Sequence, residues 1–384
     1  MKIRYSGPKL LAFLLLLVFS SLGFAQVTVG CPGGTPGAFT SLESAILASP
    51  DNATFLVSGT CTEFIAIQNR SNLNFFGNPS ATIQTADPSA LVLLISNSKS
   101  ITFNNTFVFN GGQGIVITNT PNASFNGVTV QNSGQFGITA SNSVTHMTSS
   151  SVTASTRTGV VVSGGSFSLD GGDSVSNNGR LGISAGTAHL ILEDGSGPNI
   201  ISNNGVAGVQ IFGVSQGDFS GDNEITNNAG GNFGLSVSNS SGVTITGGLI
   251  NSNTGTGVIC AGTAHCEFSG THVDSNTLGG IQIIQHSDAS FDGTVEVSGN
   301  TGAGVLVDQV SALTSNGGNT IANNTGDGLI LNTLSGLNFL GVDTITATAG
   351  NLALNCNNGS LVEGDVSTYK PKKCGTAFQN NPIH

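Results

Sequence analysis

Two stretches, SFNGVTVQNSGQFGI (residues 124–138) and SFDGTVEVSGNTGAGV (residues 290–305), decide how this chain folds. Each holds a phenylalanine, a short run of alternating valine and polar residues, and a glycine followed by a β-branched residue. That last glycine belongs to a series of ten: Gly114, Gly137, Gly159, Gly182, Gly208, Gly234, Gly257, Gly280, Gly304 and Gly328. The gaps between them are 23, 22, 23, 26, 26, 23, 23, 24 and 24 residues. After every glycine stands an apolar residue, from Ile115 and Ile138 to Val305 and Leu329, with a second two positions on, such as Ile117, Val162, Ile211 and Val307. Apolar residues at i and i+2 mark one buried face of a strand. A strand recurring at a period in the low twenties is the signature of a solenoid.

The remainder of each repeat agrees. Seven residues before most rungs lies another apolar row: Val130, Val152, Val175, Ile201, Ile250, Val273, Val297 and Ile321. Four before the rung, most coils carry asparagine: Asn110, Asn178, Asn204, Asn253, Asn276, Asn300 and Asn324. Asparagine tolerates left-handed backbone angles, so this row is expected to make the bend between two strands. Stacked coil on coil, its amides can also bond along the ladder. Phe103, Phe125, Phe219, Phe268 and Phe291 mark a third strand. Three short parallel strands per turn make a parallel β-helix, and the chirality of parallel crossovers makes it right-handed. The reading is all-β, about eleven or more coils. The two 26-residue gaps are expected to hold loop insertions.

With these repeats the chain resembles the right-handed parallel β-helix proteins of the pectin-lyase-like superfamily, in particular its broad secreted branch. The resemblance covers nearly all of the chain after its leader. It implies the fold but no single activity, because the superfamily hosts lyases, hydrolases, esterases, epimerases, adhesins and scaffolds.

Residues 1–25 read as a secretory signal peptide, with Lys2, Arg4 and Lys9 ahead of the apolar run Leu10 to Phe19 and a small-x-small site at Gly23-Phe24-Ala25. The apolar run is too short to span a bilayer, and no later stretch is long and apolar enough. The chain is therefore expected to be secreted or periplasmic, with no membrane span, and to work as a monomer. It carries 21 acidic residues against 10 basic ones, three of those in the leader. Such a surface argues against nucleic acid and anionic membranes.

Residues 26–62 read as an N-terminal cap, 63–345 as the β-helix and 346–384 as a C-terminal cap and tail. Thr40-Ser41-Leu42-Glu43 fits a capping box opening a short helix. Such a helix covers the apolar side chains and strand edges that a solenoid end exposes. Six cysteines in an exported chain invite pairing. The expected pairs are Cys31–Cys61, Cys356–Cys374 and Cys260–Cys266. For the last, repeat phase points both side chains inward, and two buried thiols are the alternative.

Chemistry is harder to find. The outward row of the strand after the rung reads Val116, Thr139, Val161, Ser184, Gln210, Ser236, Ile259, Gln282, Leu306 and Ile330, with no carboxylate or base. The paired-Asp and Gly-His-Gly signatures of polygalacturonase-like enzymes, the Arg-Pro-x-x-Arg-like pattern of pectate lyases and the Asp-Pro-His of alginate epimerases are missing. Asp170, Asp173, Glu193, Asp194, Asp218, Asp222 and Glu224 cluster in the middle coils. They could form a groove able to hold calcium; the alternative is solvated turn residues. Histidines 146, 189, 265, 272, 286 and 384 show no metal-ligand spacing and are expected in exposed turns. No cofactor is implied beyond calcium.

Just before the rung lie Gln113, Gln135, Arg157 and Arg180, in four successive coils. Like charges one coil apart repel, so the arginines need a carboxylate, an aromatic face or a bound anion. Arginine's fork suits carboxylates and sugar hydroxyls. The alternative is bonding to turn carbonyls or to Asp170 and Asp173. These four residues are the candidate ligand site. The functional expectation is an extracellular binding or structural role towards a polysaccharide or cell-surface glycan, with a divergent carbohydrate-active lyase or hydrolase as the alternative.

Overall fold

The computed structural model describes residues 26–87 and 89–374, so the leader and His384 lie outside the described residues. Within them the chain winds through about 13 coils, and each strand pairs in parallel with its counterparts in the coils before and after. One middle coil shows the plan: Leu181–Gly186, His189–Glu193 and Ile200–Ser202. These are termed the rung strand, the phenylalanine strand and the short strand.

The rung row is longer than its glycines. Ile65 and Leu93 precede Ile115 in register, and Leu354 follows Leu329. There Phe64, Val92 and Ala353 stand where the central coils have glycine. In the centre the glycine is required by space. A Cβ on Gly182 would lie 2.6 Å from the Ile201 side chain, 2.7 Å from the Asn204 amide and 2.7 Å from the Gly208 carbonyl oxygen.

Three columns fill the interior. Ile183, Val209, Leu235, Val258 and Ile281 are at most 1% exposed, as the alternation requires. The phenylalanine column stacks rings at the coil spacing: Phe55 on Phe75 at 4.7 Å and Phe75 on Phe103 at 4.5 Å, both within 10° of parallel. The third column is the valine–isoleucine row from Val130 to Ile321, joined by Ile225, which the 26-residue spacing moves out of phase.

The asparagines do one of the two jobs expected of them. From Asn178 through Asn204, Asn228, Asn253, Asn276 and Asn300 to Asn324, each Nδ2 donates to the next coil's Oδ1 at 2.9–3.0 Å. The same Oδ1 accepts the backbone N–H of the preceding asparagine, so buried amides are satisfied in both directions. The bend itself is made one residue earlier, at Asn177, Asn203, Asn227, Ser252, Ser275 and Asn323, all with φ between 54° and 57°. Asn110 is not in the ladder; it ends a strand and pairs with Gln131.

Both long gaps hold insertions. One widens the turn between Glu193 and Ile200, the other the turn between Asn228 and Phe233. At the N-terminal end a helix, α1 (Leu42–Ala48), buries Leu42, Ala45 and Ile46 over the first coil. Its cap differs from the expected box. Ser41 is the N-cap and accepts from the Ser44 N–H, while Glu43 instead accepts the Ala66 N–H at 2.8 Å. Glu63 completes the cap from the bend between the strands Thr54–Thr62 and Ile65–Gln68, accepting from the Leu42 N–H and the Ser41 hydroxyl. Arg70 seals the other end through the Ile46 and Ser49 carbonyls and Asp51. All three expected cysteine pairs are disulfides, including Cys260–Cys266 inside the core.

Candidate functional site

Arg157 and Arg180 follow the short strand and project from the turn that leads into the rung strand. The Arg157 N–H bonds the Gln135 carbonyl at 2.9 Å and the Arg180 N–H the Arg157 carbonyl at 3.0 Å, so these three residues stack on successive coils. All three are exposed. Gln113 falls outside the row: it stands one residue before its rung, half-buried, and opens a strand paired with Leu91.

Neither arginine side chain bonds Asp170, Asp173 or a turn carbonyl. Asp170 lies instead 3.4 Å from His146, and Asp173 is buried, accepting the Ser150 N–H at 2.7 Å. Among the described residues Arg70 is the one arginine paired to a carboxylate. Arg157 has an aromatic partner, its guanidinium 5.9 Å from the centre of the Phe136 ring. Arg180 extends the positive edge by one coil, about 4.8 Å.

The acidic residues do not converge on one turn. Asp218 faces outward from the phenylalanine strand and bonds His189 at 2.6 Å. Asp194 accepts the Asp222 N–H at 3.2 Å across one coil. Asp222 and Glu224 line a groove of about 570 Å³ with Pro198, Gly247, Gly248, Leu249, Gly270 and His272. Among the described residues the one group of three close metal-type donors is Cys31, Cys61 and Glu63, where the sulfurs are joined to each other.

The histidines overturn the turn assignment. His189, His265 and His272 open strands and His146 lies within one. Each meets a carboxylate of the following coil: His146 with Asp170, His189 with Asp218, His265 with Asp288, and His272 with Glu296 at 3.2 Å. His265 also bonds Glu267 at 3.0 Å. Burial works against a charged His265 ring, but the hydrogen bonds and charges of Glu267 and Asp288 outweigh it and raise its pKa. His286 alone of the described histidines sits in a turn, with φ 63°.

The comparisons bear on the fold. The family described as "Right handed beta helix region" matches residues 196–344. The A-module of the mannuronan C-5 epimerase AlgE4 of Azotobacter vinelandii is similar at 12% identity, over 84% of this chain and 94% of that one, with a TM-score of 0.55. The A-module of the mannuronan C-5 epimerase AlgE6 of the same organism is similar at 14% identity, over 83% of this chain and 93% of that one, with a TM-score of 0.50. No curated protein matches the sequence. Parallel pairing, coil period and these likenesses agree: the chain folds as a right-handed parallel β-helix.

Proposed function

We propose that this protein is exported and binds a polysaccharide lengthwise along its solenoid, with anionic groups of the polymer resting on Arg157 and Arg180. The observation that carries this reading is the free positive edge. Two exposed arginines stand one coil apart on an acidic protein, without a carboxylate partner. Phe136 faces Arg157, and an anion resting on both arginines would add charge-assisted hydrogen bonds and offset their like charge. Below them the short strands present Ser151, Thr153, Ser174 and Ser176, hydroxyls that suit a sugar chain. Three disulfides suit an oxidising compartment. The epimerase modules of like fold are named for a polysaccharide substrate, mannuronan.

The test is retention on immobilised acidic and neutral polysaccharides, with Arg157→Ala/Arg180→Ala beside the unaltered chain. The double variant should lose most of its retention on acidic polymers, at least about tenfold, the equivalent of about 1.4 kcal/mol. Its thermal unfolding should be unchanged or slightly raised, because a like-charge contact disappears. Equal retention of both proteins, or a fall in stability without any loss of retention, would return the arginines to a purely structural role.

A further inference from the structure

The groove beside Asp222 lies at the start of the short strands in the coils that follow Arg180, whereas the arginines stand in the turn after those strands. Its shape follows from the sequence. The insertion ending at Pro198 raises one wall, and Gly247, Gly248 and Gly270 leave the floor free of side chains. Glu224, Leu249 and His272 occupy one register position on three successive short strands. Leu249 is half-buried and offers an apolar platform between two polar neighbours. His272 is steadied at Nδ1 by Glu296, which continues the same column. An apolar platform, an open floor and polar groups at the rim are what a sugar ring requires.

The charges of the rim narrow the choice of sugar. Asp222 and Glu224 face the groove, Asp194 holds the Asp222 backbone from one coil away, and neither a lysine nor an arginine lines it. A uronate would be repelled there, whereas an ammonium would gain charge-assisted hydrogen bonds. We infer that the groove formed by Pro198, Asp222, Glu224, Leu249 and His272 is a subsite for an amino sugar carrying a free ammonium group. This rests on the reading of the chain as a glycan binder. It extends that reading to polymers that carry amines as well as carboxylates, the carboxylates meeting Arg157 and Arg180 and the amine meeting the groove.

Isothermal titration of the full-length exported protein with glucosamine oligomers, and with the same oligomers N-acetylated, tests the inference. Acetylation keeps the ring and its hydroxyls but removes the charge. The free-amine oligomers should bind at least about tenfold more tightly than the acetylated ones, and the difference should shrink as salt is raised. Asp222→Asn/Glu224→Gln, which keeps side-chain size and hydrogen bonding, should abolish the difference without lowering the melting temperature. Arg157→Ala/Arg180→Ala should leave it intact. Equal affinity for the two oligomer sets, or a preference that survives Asp222→Asn/Glu224→Gln, would overturn the subsite. Retention on acidic polymers that still depends on the arginines would then show that the broader reading stands without it. Loss of that dependence as well would mean that both fail.

Discussion

Asp173 occupies a position that belongs, one and two coils further on, to Asn199 and Asn223. It keeps the acceptor role, taking the Ser150 N–H, but has no Nδ2 to give, and its second carboxyl oxygen is buried without a partner. Burial is the main reason its pKa rises from 3.8 to about 7. With the folded value above the unfolded one, the carboxyl costs nothing below about pH 4, where both states are protonated. The penalty grows as pH rises through the interval and is complete above about 7. Asp173→Asn should therefore raise stability by about 2–4 kcal/mol near pH 8 and change it little near pH 4, measured by denaturant unfolding. No gain at the higher pH would mean that this carboxyl is not destabilised by its surroundings.

His265 works in the opposite sense. Its raised pKa means that the pairing with Glu267 and Asp288 contributes fully below the ordinary histidine value, and the contribution fades as pH rises through the folded value. His265→Gln should lower the melting temperature in mild acid and leave it nearly unchanged near pH 8. The asparagine ladder was largely legible in the sequence. Asn110 proved to lie outside it, and Asn228 was missed because the 26-residue coil moves it out of phase with its rung. The histidine pairs were not legible. Their partners lie one coil on, 24 residues away for His146 and Asp170 but 29 for His189 and Asp218. Chain separation alone does not identify them.

At the scale of the element, the strand register was readable because a one-residue slip exchanges core and solvent faces. Val209 is fully buried, and Gln210 beside it is half-exposed on the outward side. Val209→Asp should destabilise by more than about 4 kcal/mol, placing an unpaired charge in the core. Gln210→Asp should stay within about 0.5 kcal/mol. Equal effects of the two substitutions on thermal unfolding would refute the register. The first and last coils were harder to read, since Phe64, Val92 and Ala353 break the glycine signal while the strand pairing continues. The terminal disulfides tie α1's end of the solenoid through Cys31–Cys61 and the last coil through Cys356–Cys374. Replacing either pair by serine should cost its end about 2–4 kcal/mol. Amide exchange should then quicken there and stay slow in the central coils, because solenoid stability passes between nearest neighbours. Uniform loss of protection along the chain would contradict that picture.

Across the whole molecule, the solenoid presents the same outward rows coil after coil, which is why the proposed ligand is a linear one. Repetition made the solenoid visible in the sequence. The arginine edge was visible too, because basic residues are rare here. The groove was not, because its wall comes from an insertion and its floor from glycines whose absence of side chains carries no positive signal. In the proposed mode, binding runs along the axis, from Arg157 past Arg180 over successive coils. Its most direct test is calorimetric titration with oligosaccharides of increasing length, cut from an acidic polymer that the protein retains. Affinity should climb with each added unit until the oligomer spans several coils and then level off, and Arg157→Ala/Arg180→Ala should flatten the climb. Full affinity already at one or two units, or a length dependence untouched by the double variant, would contradict this mode.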